Sequence, residues 1–333
     1  MSNIRDVARL AGVSVATVSR ALSTPEKVSK ASIAKVQAAI NQVGYRPNML
    51  ARNFRSTRSY AVVVLVPDIA NPFYSLFIRS LEDRAQQKGY AVLLGDTRGA
   101  PEREQEYVRR VETRLADGII QLRPHSEKNQ CVIPPEIPCV HACGCEQSTG
   151  PSIRIDNRAA ARTMVDYLIS LGHRRIGVIS GLKDNPHTID RLEGYKESLQ
   201  NAGIAFDKEL IAEGDYTMWS GLNCAFQFCN MKNRPTAIFC MNDEMAIGAM
   251  QTIKSQGIRV PEEMSVTGFD DIAYAKYCDP SLTTISQPAE EMGKLAMDML
   301  LRIIEGDPLS QTECVLPTEF IIRKSTAPAP SKK

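Results

Sequence analysis

The sequence predicts a two-part α/β protein, in which a small all-α head precedes a larger body of two lobes built on doubly wound parallel sheets. Three observations predict this architecture. The first 45 residues form short amphipathic helical segments separated by turn residues, whereas apolar β-branched runs alternate with helical segments from Tyr60 onward. The charge also changes sign between the two parts. Repeated strand-helix units are typical of parallel sheets, and there are more of them here than a single sheet usually contains.

The head begins with a helix predicted over residues 4–11. Asn3 supplies its N-cap, Asp6 follows three residues later as in a capping box, and Gly12 ends it. The residues expected to face inward recur at helical spacing and are Ile4, Val7, Leu10 and Ala11.

The segment Val13–Leu22 predicts a second helix with one apolar and one exposed face. Ser14 supplies the N-cap oxygen, and Val18 and Leu22 share the inward face. The outward face then consists of Val15, Ala16, Ser19 and Arg20. Two short helices joined at a glycine turn make a helix-turn-helix, in which the second helix carries the face that reads DNA.

A third amphipathic helix, over residues 29–43, closes the core of the head, and Gly44 and Pro47 end it. The next segment, 48–55, is long enough for about two helical turns and is too short to be stable alone in water. We therefore divide the chain into a head (1–46), a hinge helix with its linker (47–59), a two-lobed body (60–326) and a disordered tail (327–333).

The body pattern predicts strands at 60–66, 91–95, 118–122, 138–142, 176–180, 237–241 and 265–269. Helices are predicted at 73–88, 102–114, 159–171, 191–202, 219–229, 245–256 and 290–304. Ligands of such folds bind beyond the carboxyl ends of the strands, so the expected site is a cleft between the two lobes.

Charge and cysteine content narrow the function. Residues 1–60 hold ten Lys and Arg but two acidic residues, a net charge of +8, whereas the remainder carries −6. A basic head on an acidic body is expected of a polyanion-binding module. The nine cysteines lack zinc-ribbon spacing, which favours reduced thiols. Without a leader-like start or a long uncharged apolar run, we expect a cytoplasmic protein with no membrane partner.

A set of motifs occurs in order along nearly the whole chain. They are Asp6-Val7-Ala8, Ala11-Gly12-Val13-Ser14, Thr17-Val18-Ser19-Arg20, Gly44-Tyr45, Pro47-Asn48, Arg191-Leu192-Glu193-Gly194-Tyr195, Asn242-Asp243, Gly268-Phe269-Asp270-Asp271 and Leu282-Thr283-Thr284-Ile285. Together they resemble the lactose/galactose repressor (LacI/GalR) family of bacterial transcription regulators. Asn71-Pro72-Phe73-Tyr74 and Cys278-Asp279-Pro280 favour its cytidine repressor branch. The resemblance implies a body like that of periplasmic binding proteins.

At the DNA end, the resemblance assigns base reading to Val15, Ala16 and Arg20. Arg20 can donate two hydrogen bonds to guanine O6 and N7, whereas Val15 and Ala16 can only contact thymine methyl groups. The phosphate contacts expected by the same resemblance are Ser14, Thr17 and Ser19.

The hinge contacts that the resemblance implies are Asn48, Leu50, Ala51 and Phe54. Phe54 stands where the family usually has a Leu that wedges between base pairs in the minor groove. Phe is able to do this, although it is bulkier and flatter than Leu. The alternative is that Phe54 packs under the body or against the hinge of a partner copy.

At the effector end, the resemblance assigns Phe73, Tyr74, His187, Arg191, Tyr216, Asn242 and Asp270. Aromatic faces with an Arg and an Asp suit a neutral polyhydroxylated ligand that contains a ring, because Asp270 accepts from hydroxyls and Arg191 donates. The alternatives are a surface salt bridge for Arg191, a helix cap for Asp270 and core packing for the aromatic residues. Ala142 replaces an acidic contact of the purine repressor, so a nucleoside such as cytidine is preferred and a sugar comes second.

One head cannot select a genomic site alone, so we expect a homodimer on a palindromic operator, with helix 73–88 facing the partner copy. No leucine heptad for a tetramer follows Ile304. A co-regulator protein is left open. Cys139, His141, Cys143 and Cys145 alternate, but Gly144 interrupts them and no Cys-x-x-Cys pair occurs, so we predict no metal.

Other function classes are weaker. A nucleoside or sugar enzyme with a DNA-binding head would need a catalytic signature, yet the chain has no Walker loop, no strand-bound Gly-x-Gly-x-x-Gly and no Gly-x-Ser-x-Gly. A transport binding protein would share the lobes but not the basic head. We therefore predict an effector-controlled repressor that is not an enzyme and needs no cofactor besides its small-molecule effector.

Overall fold

The computed structural model describes residues 3–45, 58–124, 133–146, 148 and 150–330. These residues fall into two compact units that divide between Ser59 and Tyr60, where the hydrophobic pattern of the sequence also changes.

The first unit contains three helices, α1 (Ile4–Ala11), α2 (Val15–Ser23) and α3 (Lys30–Val43). The predicted capping box is present at the start of α1. Asn3 Oδ1 accepts from the N–H groups of Arg5 and Asp6 at 2.9 and 3.2 Å, and Asp6 Oδ2 accepts from the Asn3 N–H at 3.1 Å. Gly12 ends α1 with a φ of 65°, a left-handed conformation that glycine adopts without strain.

The core of this unit is small, and the prediction is wrong for two of the residues expected in it. Leu10 and Leu22 are 46% and 36% exposed, although both were expected to face inward. The helices approach one another through small side chains, which leaves both leucines beside the buried stripe. The buried residues are Val7, Ala8, Ala11, Val18, Val36 and Ala39.

The second unit alternates strands and helices as predicted. Its strands are β1 (Ala61–Val66), β2 (Ala91–Asp96), β3 (Ile119–Gln121), β4 (Cys139–His141), β5 (Ser152–Ile155), β6 (Ile176–Ser180), β7 (Ile211–Glu213), β8 (Ala237–Cys240), β9 (Ser265–Thr267), β10 (Thr284–Ser286), β11 (Glu313–Leu316) and β12 (Glu319–Ile321). Its helices are α4 (Phe73–Gln87), α5 (Pro101–Glu112), α6 (Asn157–Ser170), α7 (Pro186–Asn201), α8 (Met218–Cys229), α9 (Asp243–Ser255) and α10 (Ala289–Glu305).

Ten of these strands form two parallel sheets, one in each lobe, and β10 and β12 form a separate antiparallel pair. The sheet of the first lobe has the order β11-β5-β4-β3-β1-β2, and that of the second lobe has the order β7-β6-β8-β9. β1 is buried along its whole length, as expected for a central strand with both faces covered. The predicted α/β class, with a helical head and parallel sheets, is confirmed.

The chain passes between the lobes three times. It leaves the first lobe after β5 and enters α6, which packs on α7 in the second lobe. It returns after β10 to form α10, which packs on α4. After β11 it crosses again, and β12 pairs antiparallel with β10. Each lobe is therefore assembled from separate parts of the sequence.

Several predicted elements need correction. The strands β5, β7, β10, β11 and β12 were not predicted; each has only three or four residues and includes at least one polar or charged residue. α7 begins at Pro186 rather than residue 191. Asn185 Oδ1 accepts from the His187 N–H at 2.8 Å, which makes Asn185 the N-cap and places the proline in the first turn.

The predicted disordered tail is wrong for residues 327–330. The Ala327 N–H donates to Ser265 Oγ at 3.0 Å, and the Ala329 N–H donates to the Leu171 carbonyl at 2.8 Å. These hydrogen bonds fix the segment on the second lobe despite its polar composition. Within the described ranges, no helix is both long enough and apolar enough to span a membrane.

Candidate functional site

The outward face of α2 carries the residues predicted to contact DNA. Val18 is fully buried, whereas Ser14, Val15, Ala16 and Arg20 are exposed and Thr17 and Ser19 are half-buried. This division follows the helical period, so the second helix of the helix-turn-helix presents one continuous face to solvent.

Two hydroxyls meet at the N-terminus of α2. Ser14 Oγ accepts from the Thr17 N–H at 3.1 Å and lies 2.9 Å from Thr17 Oγ1. The positive end of the helix dipole favours an anion there, which suits a phosphate contact. Arg20 lies along the same face, where its Nε donates a long hydrogen bond of 3.4 Å to the Ala16 carbonyl. The predicted hinge contacts Asn48, Leu50, Ala51 and Phe54 lie outside the described residues.

A cavity of about 810 Å³ lies between the two lobes, at the carboxyl ends of their strands. This is the position that the fold class predicts for a ligand. The structure brings all seven predicted effector residues together in its wall: Phe73, Tyr74, His187, Arg191, Tyr216, Asn242 and Asp270.

Arg191 is held rigidly in the second lobe. Its Nε donates to Asn157 Oδ1 at 2.8 Å, an Nη donates to the Met241 carbonyl, and its guanidinium carbon lies 3.6 Å from the centre of the Phe269 ring. The alternative of a surface salt bridge is wrong, because only 3% of Arg191 is exposed. Burial without a partner would be costly for this cation, so these contacts fix its direction into the cavity wall.

Asp270 follows β9 in a strained conformation. Its φ of 114° is rare outside glycine, and its N–H donates to the Ile285 carbonyl at 2.8 Å. It caps no helix; the next helical turn begins at Ala273. Burial raises the pKa of its carboxyl to about 6, although Arg191 and a hydrogen bond from Gln287 act in the opposite direction. A carboxylate at the cavity wall can accept from ligand hydroxyls.

The aromatic residues in the cavity wall come from both lobes. Phe73 and Tyr74 begin α4 in the first lobe, with their ring centres 5.2 Å apart and edge to face. Tyr216 comes from the second lobe, and its hydroxyl lies 2.6 Å from Thr188 Oγ1. A Cβ on Gly181 would overlap the Tyr216 ring, so only glycine allows this ring position. The three rings pack against the hydrophobic core and also line the cavity, where they can offer stacking surfaces.

Asn242, predicted to donate to or accept from a ligand, lies in the cavity wall with its amide held on both sides. Its Oδ1 caps α9 by accepting from the Met245 N–H at 2.9 Å, and its Nδ2 donates to the Tyr216 carbonyl at 2.8 Å. Both ends of the amide are thus engaged, and its residual exposure is 2%. Asn242 lies in the cavity wall mainly as the support of the Tyr216 backbone.

His187 joins the lobes. Its side chain, in the first turn of α7, lies with Nε2 at 3.2 Å from the carbonyl oxygen of Gly144, which follows β4 in the first lobe. Burial, and after it the Arg191 cation, lower the pKa of His187 to about 4, so the ring is neutral at physiological pH.

Two wall residues were missed by the sequence reasoning. Arg123 forms two hydrogen bonds with the fully buried Glu104, Nε to Oε1 at 2.7 Å and Nη2 to Oε2 at 3.0 Å. Gln287 donates to Asp270 Oδ1 at 2.7 Å. Arg123 lies two residues after β3, and polar residues near the ends of predicted parallel strands are the signal that could have identified it.

The alternating Cys and His residues do not form a joint site. β4 ends at His141, so Cys143 and Cys145 lie beyond the strand, and both are buried. Burial raises the pKa of the Cys143 thiol to about 12. In the part of the chain that the structure describes, no group of three or more His, Cys, Asp or Glu side chains could hold a metal ion.

Two family models match the chain. The model of the bacterial regulatory proteins of the lacI family covers residues 3–48, and that of a periplasmic binding protein-like domain covers residues 165–326. The chain is 39% identical to the HTH-type transcriptional repressor CytR of Escherichia coli (strain K12), over 99% of this chain and 97% of that protein. It is 34% identical to the HTH-type transcriptional repressor PurR of Vibrio atlanticus (strain LGP32), over 92% of both.

Solved structures agree with these relatives. The lac repressor dimer bound to operator and the anti-inducer ONPF is similar with a TM-score of 0.89 and 29% identity, over 98% of this chain and 99% of that chain. The transcriptional regulator CelR–cellobiose complex is similar with a TM-score of 0.73 and 28% identity, over 98% of this chain and 100% of that chain. The predicted family is confirmed: this chain belongs to the lacI family of bacterial regulatory proteins and is a DNA-binding transcriptional repressor of that type.

Proposed function

We propose that a neutral nucleoside, with cytidine as the first candidate, binds between the lobes and controls DNA binding by this repressor. The arrangement of Asp270 and Arg191 beside three aromatic rings carries this proposal. The carboxylate and guanidinium provide an acceptor and a donor for ribose hydroxyls, and the rings provide flat apolar surface for a base.

The charges of the cavity favour an uncharged ligand. Arg98, Arg123, Lys183 and Arg191 are balanced by acidic side chains in the same wall, so a phosphate group would find no net positive field. Those acidic side chains are Asp68, Asp96, Asp184, Asp215 and Asp270. A nucleoside or a sugar is therefore favoured over a nucleotide.

A sugar is the second candidate. The similar CelR structure is a cellobiose complex, so this fold accommodates carbohydrate. The rings of Phe73, Tyr74 and Tyr216 nevertheless provide more aromatic surface than vicinal hydroxyls require. The repressor CytR, similar over nearly the full length, also favours the nucleoside.

Effector control follows from contacts to both lobes. Phe73 and Tyr74 belong to the first lobe, whereas Arg191, Tyr216 and Asp270 belong to the second. A ligand that contacts both favours one angle between the lobes, and any dependence of DNA affinity on that angle couples the two binding events. We assign residues 47–59 as the hinge that transmits this change.

The DNA contacts are those that the resemblance implies. Arg20 reads a guanine, and Val15 and Ala16 contact thymine methyl groups. The phosphate and hinge contacts are Ser14, Thr17, Ser19, Asn48, Leu50, Ala51 and Phe54.

We further propose that the repressor acts as a homodimer. β2 is an edge strand, yet Leu93 and Leu94 on it are 37% and 41% exposed, and Leu76 on the neighbouring α4 is 39% exposed. Trp219 and Tyr277 on the second lobe are 70% and 84% exposed. Apolar side chains on an open sheet edge favour pairing with a second copy of the chain. Substitution of Leu93 and Leu94 by Asp should shift the sedimentation mass to that of a monomer.

A DNA-bound repressor works in the cytoplasm, and the similar proteins are regulators rather than enzymes. We accordingly propose no catalytic activity and no cofactor. Turnover of cytidine or ribose with ATP or NAD would contradict this and would favour the alternative of an enzyme with a DNA-binding head.

A two-stage experiment tests the effector. Thermal-shift screening of nucleosides and sugars with the full chain should give the largest increase in Tm with a pyrimidine nucleoside. An operator sequence is then obtained by binding selection. The ligand should change the affinity of the protein for this labelled DNA, measured by fluorescence anisotropy, and log Kd for the DNA should depend steeply on log salt concentration. A sugar that stabilises the protein while nucleosides do not would replace the nucleoside by the second candidate.

A further inference from the structure

Two consecutive aspartates, Asp270 and Asp271, form a strained turn after β9. Their φ angles are 114° and 57°, in the left-handed region that residues other than glycine rarely adopt. Such a conformation costs folding free energy and persists only where the surrounding contacts enforce it. Asp270 lines the cavity, so the contacts that enforce this turn also set the position of its carboxylate.

Arg323 holds the second of these aspartates. Its Nη2 donates to Asp271 Oδ1 at 2.6 Å, and its Nη1 donates to the Leu282 carbonyl at 2.9 Å. The side chains of Arg323 and Asp271 are only 13% and 11% exposed, so solvent and salt screen this ion pair weakly. Because one guanidinium holds both a carboxylate and a carbonyl, it fixes Asp271 in one position.

The next residue of the turn is held by the fully buried Asp243. Its Oδ2 accepts from the Ile272 N–H at 2.8 Å, and its Oδ1 accepts from Thr284 Oγ1 at 2.6 Å. Asp243 begins α9, and Thr284 begins β10. The turn is therefore anchored to α9 and β10 at Ile272 and to Arg323 at Asp271.

Two of the three segments that cross between the lobes meet at this turn. Gln287, where the chain leaves β10 for the first lobe, donates to Asp270 Oδ1 at 2.7 Å. Arg323 lies two residues after β12, which the chain forms directly after its last crossing from β11. A change in the angle between the lobes must displace crossing segments. Each aspartate of the turn is thus tied to a different one of them.

We propose that Arg323 is a positioning residue for effector binding, which acts through its ion pair with Asp271. The pair keeps the neighbouring Asp270 carboxylate in place for the ligand and transmits changes in lobe angle to it. This inference rests on the effector role proposed above for Asp270. Of these three residues only Asp270 lines the cavity, so Arg323 acts without contact to the ligand. By linkage, a ligand held by Asp270 favours the lobe angle at which the pair is formed.

Crystal structures of the full chain without any ligand give the first test. Arg323→Lys keeps the charge but loses the planar fork that reaches Asp271 and the Leu282 carbonyl together. The φ angles of Asp270 and Asp271 should then change by more than the ordinary scatter of about 20°. A folded Arg323→Lys protein in which both angles are unchanged would overturn the inference, whatever the effector is.

Arg175→Lys is the matched control. Arg175 also holds a carboxylate and a carbonyl, because its Nη1 donates to Asp207 Oδ2 at 2.7 Å and its Nε donates to the Asn233 carbonyl at 2.7 Å. It belongs to the same lobe but precedes β6, at the end of the sheet opposite the cavity. This variant should leave the turn at Asp270 unchanged.

Calorimetry with cytidine tests the consequence for binding. Arg323→Lys should weaken cytidine binding about tenfold, whereas Arg175→Lys should stay within about twofold of the wild type. In an Asp270→Asn background, Arg323→Lys should have little further effect on affinity, since it acts through Asp270. A purely structural role would lower Tm in both backgrounds without this dependence. Losses of affinity that add up in the double variant would therefore overturn the positioning role.

The two tests separate this inference from the identity of the effector. A wild-type protein that binds no cytidine would overturn the nucleoside effector, while the ligand-free structures would still decide the role of Arg323. If Arg323→Lys does not fold, Asp271→Asn takes its place, because the amide keeps an acceptor oxygen for Arg323 and loses the charge. The same change in the turn is expected, and an unchanged turn would again overturn the inference.

Discussion

Gln287 Nε2 donates to Asp270 Oδ1 at 2.7 Å, and this bond joins the effector cavity to a segment that connects the lobes. Gln287 follows β10 directly, and α10 of the first lobe begins two residues later. A ligand hydroxyl that binds Asp270 therefore acts on an atom already tied to the crossing chain. The Asp270 carboxylate thus both lines the effector cavity and holds the segment that connects the lobes.

Effector affinity should fall with acid. The pKa of Asp270 is raised from its ordinary value to about 6, so the carboxylate that accepts ligand hydroxyls becomes protonated as the pH falls through 6. Calorimetry should show up to about a tenfold loss per pH unit below 6 and little change above 7. Asp270→Asn should bind weakly at every pH and lose this dependence; a variant with the wild-type profile would contradict the role of Asp270.

Gln287→Leu should raise the pH at which effector affinity begins to fall. The hydrogen bond from Gln287 holds the pKa of Asp270 lower than burial alone would set it, so its removal raises the pKa further. The pH at which effector affinity begins to fall should increase by about half a unit or more. Gln200→Leu, on the C-terminal turn of α7, serves as the control. If effector affinity begins to fall at the same pH in the wild type and in both variants, Gln287 has no such effect.

Glu244→Gln should stabilise the protein at alkaline pH. Burial, followed by repulsion from Asp68 and Asp270, raises the pKa of Glu244 to about 7. Ionisation then costs folding free energy that is absent below the ordinary pKa near 4.5 and fully present above 7. After allowance for solvent screening, the variant should gain about 1 kcal/mol in urea unfolding at pH 8 and almost nothing at pH 4.5. The exposed Glu262→Gln should show no such gain.

Gly181→Ala should weaken effector binding through Tyr216. The added methyl group would occupy the space of the Tyr216 ring, which Thr188 and Asn242 otherwise hold in place. We expect about a tenfold loss of effector affinity, whereas operator binding without effector should stay within about twofold. In a Tyr216→Ala background the same alanine should have little further effect. If the losses of effector affinity from Gly181→Ala and Tyr216→Ala add up in the double variant, Gly181→Ala does not act by displacing the Tyr216 ring.

Arg20→Ala should relax specificity at one base pair in each half-site. Loss of a bidentate contact to guanine costs about 1–3 kcal/mol against the preferred base and removes discrimination there. Ser14→Ala should instead weaken binding to all sequences alike, since a phosphate contact carries no sequence information. Binding selection followed by sequencing would measure both. An unchanged base preference in Arg20→Ala would show that another residue reads that position.

The strongly patterned parts of the chain were predictable, and the long-range contacts were not. β1 shows a continuous β-branched run because it is buried on both faces, and α2 shows its outward face through helical spacing. Gln287 and Arg123 were missed because their significance lies in pairing with Asp270 and Glu104, which are 17 and 19 residues away and in other elements. These partners meet only after the sheets form.

Asn242 has a structural role that its prediction as an effector contact did not include. It was expected to bind ligand, yet its sequence context, followed by Asp243 and Glu244 at the start of a helical pattern, is that of an N-cap. The capping role and the resemblance pointed to the same residue for different reasons. The bonds to Met245 and Tyr216 show that its amide caps α9 and supports the Tyr216 backbone, and the contact with a ligand stays a prediction.

The three crossings between the lobes constrain how the protein is made. The first lobe lacks β11 and α10 until almost the whole polypeptide has been translated, because residues 157–286 of the second lobe are synthesised in between. The head, by contrast, has all its described helices by residue 43. In a ribosome-bound chain, the DNA-binding head can therefore fold well before the effector-binding body is complete. Premature termination between residue 60 and β11 would leave a complete DNA-binding head on an incomplete effector-binding body.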